Sequence, residues 1–306
     1  PEFLQAAIDY TFQGFQPEDT IAKAVGSPGG TGAIRMMIYN YLENGEKVLI
    51  PDWHWAPYKT IAEENQRLTK TYAMFDSNLQ FTTEDIKAKT KALLKQQDHL
   101  LVIFNTPGHN PTGYSLSLED WADLIPFFKE CAQDPTKRII IGLDMAYVDY
   151  SGDPREARRF LSMFKGMPEN MMVTIAFSMS KSFLVYGMRC GALIGISPSA
   201  AVMEDFAHIH SFSGRGVWSN GSRGAQQLLA KIVRDADLTK KANVQRNALA
   251  QLVSDRAAIF VKEASEVSLK ILPYFGGFFI TIPAKQPKKL TAFLAQEKIF
   301  LVPMSK

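Results

Sequence analysis

A lysine flanked by serines is the residue of this sequence with the clearest chemical potential. The stretch SMSKSFLVYGMRCG (178–191) holds Lys181, and Arg189 follows eight residues later. A lysine that is removed from water and set beside a cation has a lowered pKa, so its neutral amine attacks carbonyl carbon. Ser178 and Arg189 together are suited to hold a phosphate. The stretch is compatible with covalent chemistry at Lys181, but for a lysine taken alone we favour a solvated side chain with a structural arginine.

A carboxylate and a phenol follow another apolar run, RIIIGL, in LDMAYVDY (143–150). Asp144 ends that run, and a buried carboxylate there needs a cation or an N–H group as its partner. A protonated pyridine nitrogen is such a cation. Tyr147 lies three residues on and is able to aim its hydroxyl at the same ligand. We interpret Asp149 as a solvated acid in a turn.

Two glycine-containing turns are candidates for the rest of a ligand site. In SPGGTGAIRMMIYNYL (27–42), Gly30 and Thr31 lie at a predicted helix start, where free N–H groups attract an anion such as phosphate. The turn matches neither nucleotide-binding glycine motif. In NTPGHNPTG (105–113), Asn110 precedes a proline that restricts its backbone, so a rigid loop would present its amide. Ordinary turns are the alternative for both segments.

An aromatic pair stands after the apolar run KVLI, in PDWHWAP (51–57). Either Trp53 or Trp55 is able to stack on a flat ring. From composition alone, packing in the hydrophobic core is the interpretation we favour for both.

These candidate residues need a scaffold that brings them together, and the pattern of apolar runs supplies one. Helical spacing separates the runs, which favours an α/β fold with a mostly parallel central sheet and helices on both faces. Ligands bind such sheets at the carboxyl ends of the strands. Three of those ends carry the polar residues described above. The predicted strands are KVLIP (47–51), LLVIFN (100–105), RIIIGLD (138–144), MVTIAFS (172–178) and ALIGIS (192–197).

The chain is predicted to contain a large cofactor-binding domain, 1–247, and a smaller C-terminal α/β domain, 248–306, which is incomplete. A long helical region, about 228–264, connects the two. After it, SLKILP, FFITI, the helical PKKLTAFLAQEK and IFLVP indicate the smaller unit.

Composition excludes several classes of protein. The net charge of +3 comes from dispersed basic residues, so nucleic acid is not a predicted partner. Cys131 and Cys190 make no disulfide framework and no metal-binding spacing, which favours a reducing cytoplasm. No run of 18 apolar residues is present to span a membrane. We therefore expect a cytoplasmic protein without membrane, metal or nucleic-acid partners.

Taken in order, the motifs resemble those of the class I aminotransferases in the aspartate aminotransferase superfamily. The order is GGTGA, a tryptophan after a strand, NPTG, D-x-A-Y, and S-x-S-K with an arginine eight residues later. The resemblance covers nearly the whole chain. It implies a pyridoxal phosphate (PLP) enzyme of fold type I, a homodimer, that moves an amino group between an L-amino acid and a 2-oxo acid.

The resemblance also implies what individual residues do. Lys181 would form the Schiff base with PLP and later shuttle a proton between substrate and cofactor. Asp144 would pair with the pyridinium nitrogen. Tyr147 and Asn110 would bond the phenolic oxygen of the ring, and Asn110 would help to place the substrate α-carboxylate.

The remaining binding roles follow in the same way. Trp53 would stack on the cofactor ring, and Trp55 aligns less well with the family pattern. The residues implied for the phosphate are Gly30, Thr31, Ser178 and Arg189.

Arg215 stands four residues before Ser219-Asn220. In aspartate aminotransferases an arginine at this spacing enters the partner subunit's site and binds the side-chain carboxylate of the substrate. This favours aspartate or glutamate, with aromatic amino acids also accepted, and a surface arginine is the alternative. Family members are usually longer, so we expect an N-terminal arm and a C-terminal arginine that clamps the α-carboxylate to lie outside this sequence.

Two other functions stay open at this stage. A PLP-dependent lyase of the same fold, carbon–sulfur or cyclopropane-forming, would use the same lysine and aspartate. A PLP-binding regulatory domain would carry an N-terminal pair of DNA-binding helices, which this sequence does not show.

Overall fold

A mostly parallel sheet forms the centre of the computed structural model, which describes residues 1–304. In those residues the strands are β1 (Ile21–Ser27), β2 (Lys47–Pro51), β3 (Leu68–Tyr72), β4 (His99–Asn105), β5 (Arg138–Asp144), β6 (Met171–Ser178) and β7 (Gly191–Ser197). Their order across the sheet is β1-β7-β6-β5-β4-β2-β3. The β1–β7 and β6–β7 pairs are antiparallel, and the others are parallel.

Helices surround the sheet, and short 3₁₀ segments follow β5 and β6. The helices of the described residues are α1 (Glu2–Phe12), α2 (Gly29–Tyr41), α3 (Pro57–Glu64), α4 (Glu84–Leu94), α5 (Leu118–Cys131), α6 (Met179–Ser182), α7 (Ala200–Val217), α8 (Arg223–Arg234), α9 (Ala236–Glu266) and α10 (Pro287–Gln296). The 3₁₀ segments are Val148–Tyr150, Glu156–Phe164 and Tyr186–Met188. None of the helices described has the length and hydrophobicity of a membrane span.

Both faces of the sheet are buried, each in its own hydrophobic cluster. Along β4, Val102 and Phe104 belong to the cluster that holds side chains of α1, α5 and α8. Leu101 and Ile103 belong to the cluster on the other face, with α2, α3 and α7. Successive side chains of a strand point to opposite faces, so a run that is apolar throughout requires cover on both. The α/β fold with helices on both faces is confirmed.

The five predicted strands are confirmed within one residue at each end, and two further strands are present. Those two, β1 and β3, are the edge strands of the sheet. Each is paired with a neighbouring strand along one edge alone and carries polar residues such as Lys23 and Lys70, so neither forms a continuous apolar run.

The C-terminal part differs from the expected arrangement. The predicted boundary between 247 and 248 falls inside α9, a continuous helix of 31 residues, so the division into two domains stays a prediction. Between residues 267 and 304 the predicted helix forms as α10, but no strand does. SLKILP and FFITI are joined there by a backbone hydrogen bond of 2.9 Å from Leu272 to Thr281. One such bond does not make the ladder that defines a strand.

Candidate active site

The carboxyl ends of β4, β5 and β6 open onto one cavity of about 230 Å³. These strands lie side by side in parallel, with Asn105 paired to Asp144 and Asp144 to Ala176. The residues predicted from sequence that line the cavity are Gly30, Thr31, Asn110, Asp144, Tyr147, Ser178, Lys181 and Arg189. Trp53 and Arg215 are not part of its lining.

Lys181 reaches the cavity from α6, a single helical turn that begins directly after β6. Ser178 caps this turn, because its hydroxyl accepts a hydrogen bond of 3.2 Å from the backbone N–H of Ser180. The Nζ atom of Lys181 lies 4.8 Å from the ring centre of Tyr186 and 5.8 Å from that of Tyr147. The end of the strand and the cap thus aim the amine into the cavity.

The electrostatic surroundings of Lys181 favour its neutral form. Burial lowers the pKa of the amine, and the positive charge of Arg189 lowers it further. A larger fraction of Lys181 is therefore unprotonated, and nucleophilic, than for a lysine in water.

Asp144 is a buried carboxyl group without a cationic partner in the described part of the chain. It accepts hydrogen bonds from the Tyr58 hydroxyl at 2.6 Å and from the Ala146 backbone at 3.2 Å. Burial raises the pKa of Asp144 above its usual value, and these two hydrogen bonds reduce the rise. A cation that enters the cavity beside this carboxylate would compensate the cost of its burial.

The opposite end of the cavity is suited to an anion. Gly30 and Thr31 lie in the first turn of α2, whose free N–H groups and dipole favour negative charge. The Arg189 guanidinium is held beside this turn, since its Nη2 donates to the Pro28 carbonyl at 3.3 Å. A Cβ atom added at Gly29 would lie 2.9 Å from the same nitrogen, so glycine is required for this approach.

Polar groups on the loops after β4 and β5 connect these two ends. The Asn110 side chain donates to the Tyr147 hydroxyl at 3.4 Å, and Asn105 accepts a bond of 2.6 Å from the Asn110 backbone. Burial, and then the charge of Asp144, raise the pKa of Tyr147 to about 12. Tyr147 therefore keeps its proton at neutral pH and remains able to donate a hydrogen bond.

The tryptophan on the cavity is Trp55, which corrects the expectation for Trp53. Trp53 packs against the hydrophobic cluster of α1 and α5, whereas Trp55 lines the cavity. The Trp55 ring also meets the Tyr58 ring edge to face, with centres 5.5 Å apart. The loop between β2 and α3 determines where each tryptophan side chain points, and this cannot be predicted from their positions in the sequence.

Two side chains of the candidate site were not predicted from the sequence. Tyr58 follows Trp55 by three residues in the first turn of α3, just beyond the carboxyl end of β2, and this position was the available signal. Phe279 lines the cavity from a segment far along the chain, and no local sequence motif predicts this position. The other additional lining residues are Asn105, Ala146, Ser180 and Tyr186.

Asp149 is buried, which overturns its interpretation as a solvated turn acid. It forms an ion pair of 2.9 Å with Arg158, and both side chains are 0% exposed. The acid therefore belongs to the interior below the cavity.

A larger cavity of about 610 Å³ lies at the amino ends of the strands, near His99 and Arg138. Its buried His210 is bonded to Asn40 at 2.9 Å and to Tyr41 at 2.7 Å. Burial lowers the pKa of His210 to about 3, so it stays neutral. None of the predicted reactive residues lines this cavity.

Comparison with known proteins assigns the fold and then the family. The structure matches the crystal structure of an aminotransferase from Anaerococcus prevotii with a TM-score of 0.97 and 38% sequence identity, over 100% of this chain and 74% of that one. Its fold is thus that of an aminotransferase. The chain belongs to the aminotransferase class I and II family, whose model matches residues 1–306.

Curated relatives carry two names within this family. An aromatic-amino-acid aminotransferase of Pseudomonas aeruginosa is 27% identical over 71% of this chain and 52% of its own length. An aspartate aminotransferase of Escherichia coli is 24% identical over 81% of this chain and 61% of its own length. The chain thus spans between about half and two thirds of these relatives.

Replacing Tyr58 by phenylalanine is expected to weaken the site most at low pH. The change removes a hydrogen bond to the Asp144 carboxylate, so the pKa of Asp144 rises further and more of the carboxyl is protonated at a given pH. We expect kcat/KM to fall about tenfold on the acid limb of its pH profile and to recover as the pH increases. The measurement is the pH profile of kcat/KM.

A suitable control is Tyr114→Phe, because the Tyr114 hydroxyl donates to Asp120 at 3.1 Å outside the cavity. That variant should keep the wild-type profile. An unshifted acid limb in Tyr58→Phe would show that this hydrogen bond does not tune Asp144.

Proposed function

We propose that this protein is a PLP-dependent aminotransferase that moves an amino group between an L-amino acid and a 2-oxo acid through a Schiff base at Lys181. The observation that carries the proposal is the shared cavity of a lysine with a lowered pKa and a buried carboxyl group that has no cation. Family membership supports the same chemistry. The free Cys131 and Cys190 agree with a reducing cytoplasm as its location.

The lining residues fit PLP at three of its functional groups. The pyridinium nitrogen would meet Asp144, the buried carboxyl group. The phosphate would occupy the anion site of Gly30, Thr31 and Arg189 at the start of α2. The aldehyde would face Lys181. When bound, PLP supplies the carbonyl carbon for the lysine and a ring that accepts electrons from the substrate α-carbon.

The chain's own residues then control protons and orientation. Asp144 would hold the proton on the ring nitrogen, because an ion pair there would compensate the burial of the carboxylate. Tyr147 and Asn110 would donate hydrogen bonds to the phenolic oxygen. The free amine of Lys181 would accept the proton from the substrate α-carbon and return it during amino transfer. The Trp55 ring covers one face of the site.

The test is the absorption spectrum of the protein with PLP, before and after addition of L-aspartate, together with an assay for the products. We expect a Schiff-base band that aspartate removes as oxaloacetate accumulates. In a parallel assay with a β-thio-substituted amino acid in place of aspartate, release of a thiol, pyruvate and ammonia would indicate a carbon–sulfur lyase. Absence of the band would contradict the PLP chemistry altogether.

We propose further that the protein is a homodimer in which Arg215 binds the side-chain carboxylate of aspartate or glutamate in the partner's site. Arg215 is exposed near the end of α7, where its Nη1 donates to Ser219 at 2.7 Å. It does not line the cavity of its own chain. The same helix exposes Ile209 by 51%, Phe212 by 85% and Val217 by 51%, an apolar surface that supports a subunit contact.

Arg215→Ala is expected to reduce activity selectively on dicarboxylic substrates. Loss of a charge-assisted hydrogen bond to the substrate should lower kcat/KM for aspartate about 100-fold. For alanine, which has no such carboxylate, kcat/KM should change less than about threefold. The measurement is kcat/KM with both substrates, and Arg223→Ala, at the exposed start of α8, is the matched control. Equal losses on aspartate and alanine would remove the proposed role.

Mixing two defective variants tests the action across the interface. Arg215→Ala supplies an intact Lys181, and Lys181→Ala supplies an intact Arg215. If Arg215 acts in the partner's site, each mixed dimer has one complete site, and co-refolded protein should regain about a quarter of the wild-type aspartate activity. If the aspartate activity of the mixture does not exceed that of the separate variants, action across the interface is contradicted.

A further inference from the structure

A buried ionic group lies in the chain segment that follows Tyr147 of the cavity, and the chemistry described so far does not use it. The Asp149 Oδ1 atom accepts a bond of 2.9 Å from Arg158, and Oδ2 accepts a bond of 2.8 Å from the Tyr10 hydroxyl. The side chains of Asp149 and Arg158 are both 0% exposed. A buried carboxylate with both oxygens bonded to fixed partners has a well-defined orientation.

The partners of Asp149 come from elements that are distant in the chain. Tyr10 belongs to α1, and its hydroxyl accepts a bond of 2.9 Å from Arg246 of α9. Arg158 belongs to the 3₁₀ segment Glu156–Phe164, and its Nε donates to the Thr11 carbonyl at 3.1 Å. The carboxylate thus joins the N-terminal helix, the long helix α9 and the chain after β5.

The segment that contains Asp149 also contacts the backbone of Lys181. Asp149 lies in the 3₁₀ segment Val148–Tyr150, which follows Tyr147 of the cavity. Tyr150, the next residue, donates its hydroxyl to the backbone carbonyl of Lys181 at 3.1 Å. The segment that Asp149 anchors therefore contacts the cofactor cavity through one tyrosine and the backbone of the lysine through another.

The ring of Tyr10 supports the other side of the lysine-bearing turn. Its centre lies 5.8 Å from that of Phe177 in β6 and 4.8 Å from that of Phe183, which follows α6. These two phenylalanines flank the short stretch that carries Lys181. Asp149 holds Tyr10 in this position through the hydroxyl.

We propose that Asp149 is a positioning residue that fixes the α6 turn, which carries Lys181, through Tyr150 and Tyr10, so that the lysine amine reaches the cofactor aldehyde in a reactive orientation. This inference rests on the proposed function. An anion suits the position because it compensates two guanidinium groups that would otherwise lie buried without a counter-charge. Burial by itself would raise the pKa of Asp149, but Arg158 and then Arg246 lower it overall, so the group stays ionised at neutral pH.

The test compares wild type with Asp149→Asn in three measurements. The first is the rate at which PLP becomes covalently attached to Lys181, trapped by borohydride and counted by mass spectrometry. The second is the kcat and KM of transamination, and the third is the melting temperature. We expect the attachment rate and kcat to fall about tenfold, with KM within about twofold, at temperatures well below unfolding.

A purely structural role predicts a different pattern. The melting temperature would fall, while the attachment rate and kcat of the folded protein would stay at wild-type values, and this outcome would overturn the inference. A second comparison uses a Lys181→Ala background, where Asp149→Asn should leave the non-covalent affinity for PLP unchanged. A large loss of that affinity would equally contradict a role in positioning the lysine.

Two further variants keep the test decisive. Glu156→Gln breaks an exposed ion pair of 3.7 Å with Arg159 on the same 3₁₀ segment as Arg158, and it should leave every readout unchanged. Tyr10→Phe keeps the ring but removes the hydroxyl between Asp149 and Arg246. It should slow attachment about threefold. If Asp149→Asn does not fold, an unchanged attachment rate in Tyr10→Phe overturns the inference.

The proposed function can fail separately. A wild-type protein that never attaches PLP would overturn the proposed function, and this inference with it. A wild-type protein that attaches PLP, beside an Asp149→Asn variant with the same rate, would overturn the positioning role alone.

Discussion

Lys181→Ala is expected to abolish amino transfer and to leave a folded protein that binds PLP without a covalent bond. Among the residues that line the cavity, Lys181 carries the primary amine. The variant therefore loses the nucleophile and the proton carrier together. We expect kcat/KM to fall by more than about 10⁴-fold. The measurement is a transamination assay together with the absorption spectrum of the PLP complex.

The spectrum makes the result specific to the lysine. The anion site at the start of α2 and the Asp144 carboxylate remain, so bound PLP should absorb as the free aldehyde and not as the Schiff base. Lys59→Ala removes a lysine that is 60% exposed on α3 and should behave as wild type. Full activity in Lys181→Ala would refute the assignment of the reactive residue.

Asp144→Asn is expected to combine a large loss of activity with no loss of stability in the PLP-free protein. Without a carboxylate, the ring nitrogen loses the anion that keeps it protonated, and the ring accepts electrons less well. We expect kcat/KM to fall by about 10²–10³-fold. The measurements are steady-state kinetics and thermal unfolding with and without PLP.

The stability prediction follows from the direction of the pKa shift. Burial raises the pKa of Asp144 in the folded protein, so the folded state binds this proton more tightly than the unfolded state. The free energy of unfolding therefore decreases as the pH rises from the unfolded pKa through the folded one. Above the folded pKa the PLP-free wild type bears this full cost, which asparagine removes. PLP should consequently raise the melting temperature of wild type more than that of the variant.

Asp149 provides the matched comparison, because its pKa is shifted in the opposite direction. Its ion pair stabilises the folded protein above the unfolded pKa, and that stability is lost as the pH falls through the folded pKa. Asp149→Asn should lower the free energy of unfolding at neutral pH by about 3–5 kcal/mol, since the buried Arg158 loses its carboxylate counter-charge. A similar destabilisation by Asp144→Asn would show that Asp144 is also a structural acid.

The central strands and the reactive residues at their ends were readable from the amino-acid pattern. Strands β2 and β5 have the predicted bounds, and β4, β6 and β7 each begin one residue earlier than predicted. These strands are buried on both faces, which demands an uninterrupted apolar run and leaves a strong local signal. The edge strands β1 and β3 each have one unpaired edge and carry polar residues, and they were not predicted.

Motifs that end a buried strand were readable for a related reason. Asp144 and Ser178 are the last residues of β5 and β6, and parallel strands deliver their carboxyl ends to the same edge of the sheet. A local pattern was therefore enough to predict that Lys181, three residues after Ser178, would share a cavity with Asp144.

The directions of side chains beyond the strand ends depend on contacts between distant segments. Trp53 and Trp55 are two residues apart, yet one packs in the core and the other lines the cavity, because the loop before α3 turns between them. The sequence around Asp149 indicates a solvated turn acid, whereas in the folded protein Arg158 and Tyr10 pack against it. A charged group is buried in a folded protein only where other residues pair with it. Such partners are often far apart in sequence and are brought together by the packing of helices and strands.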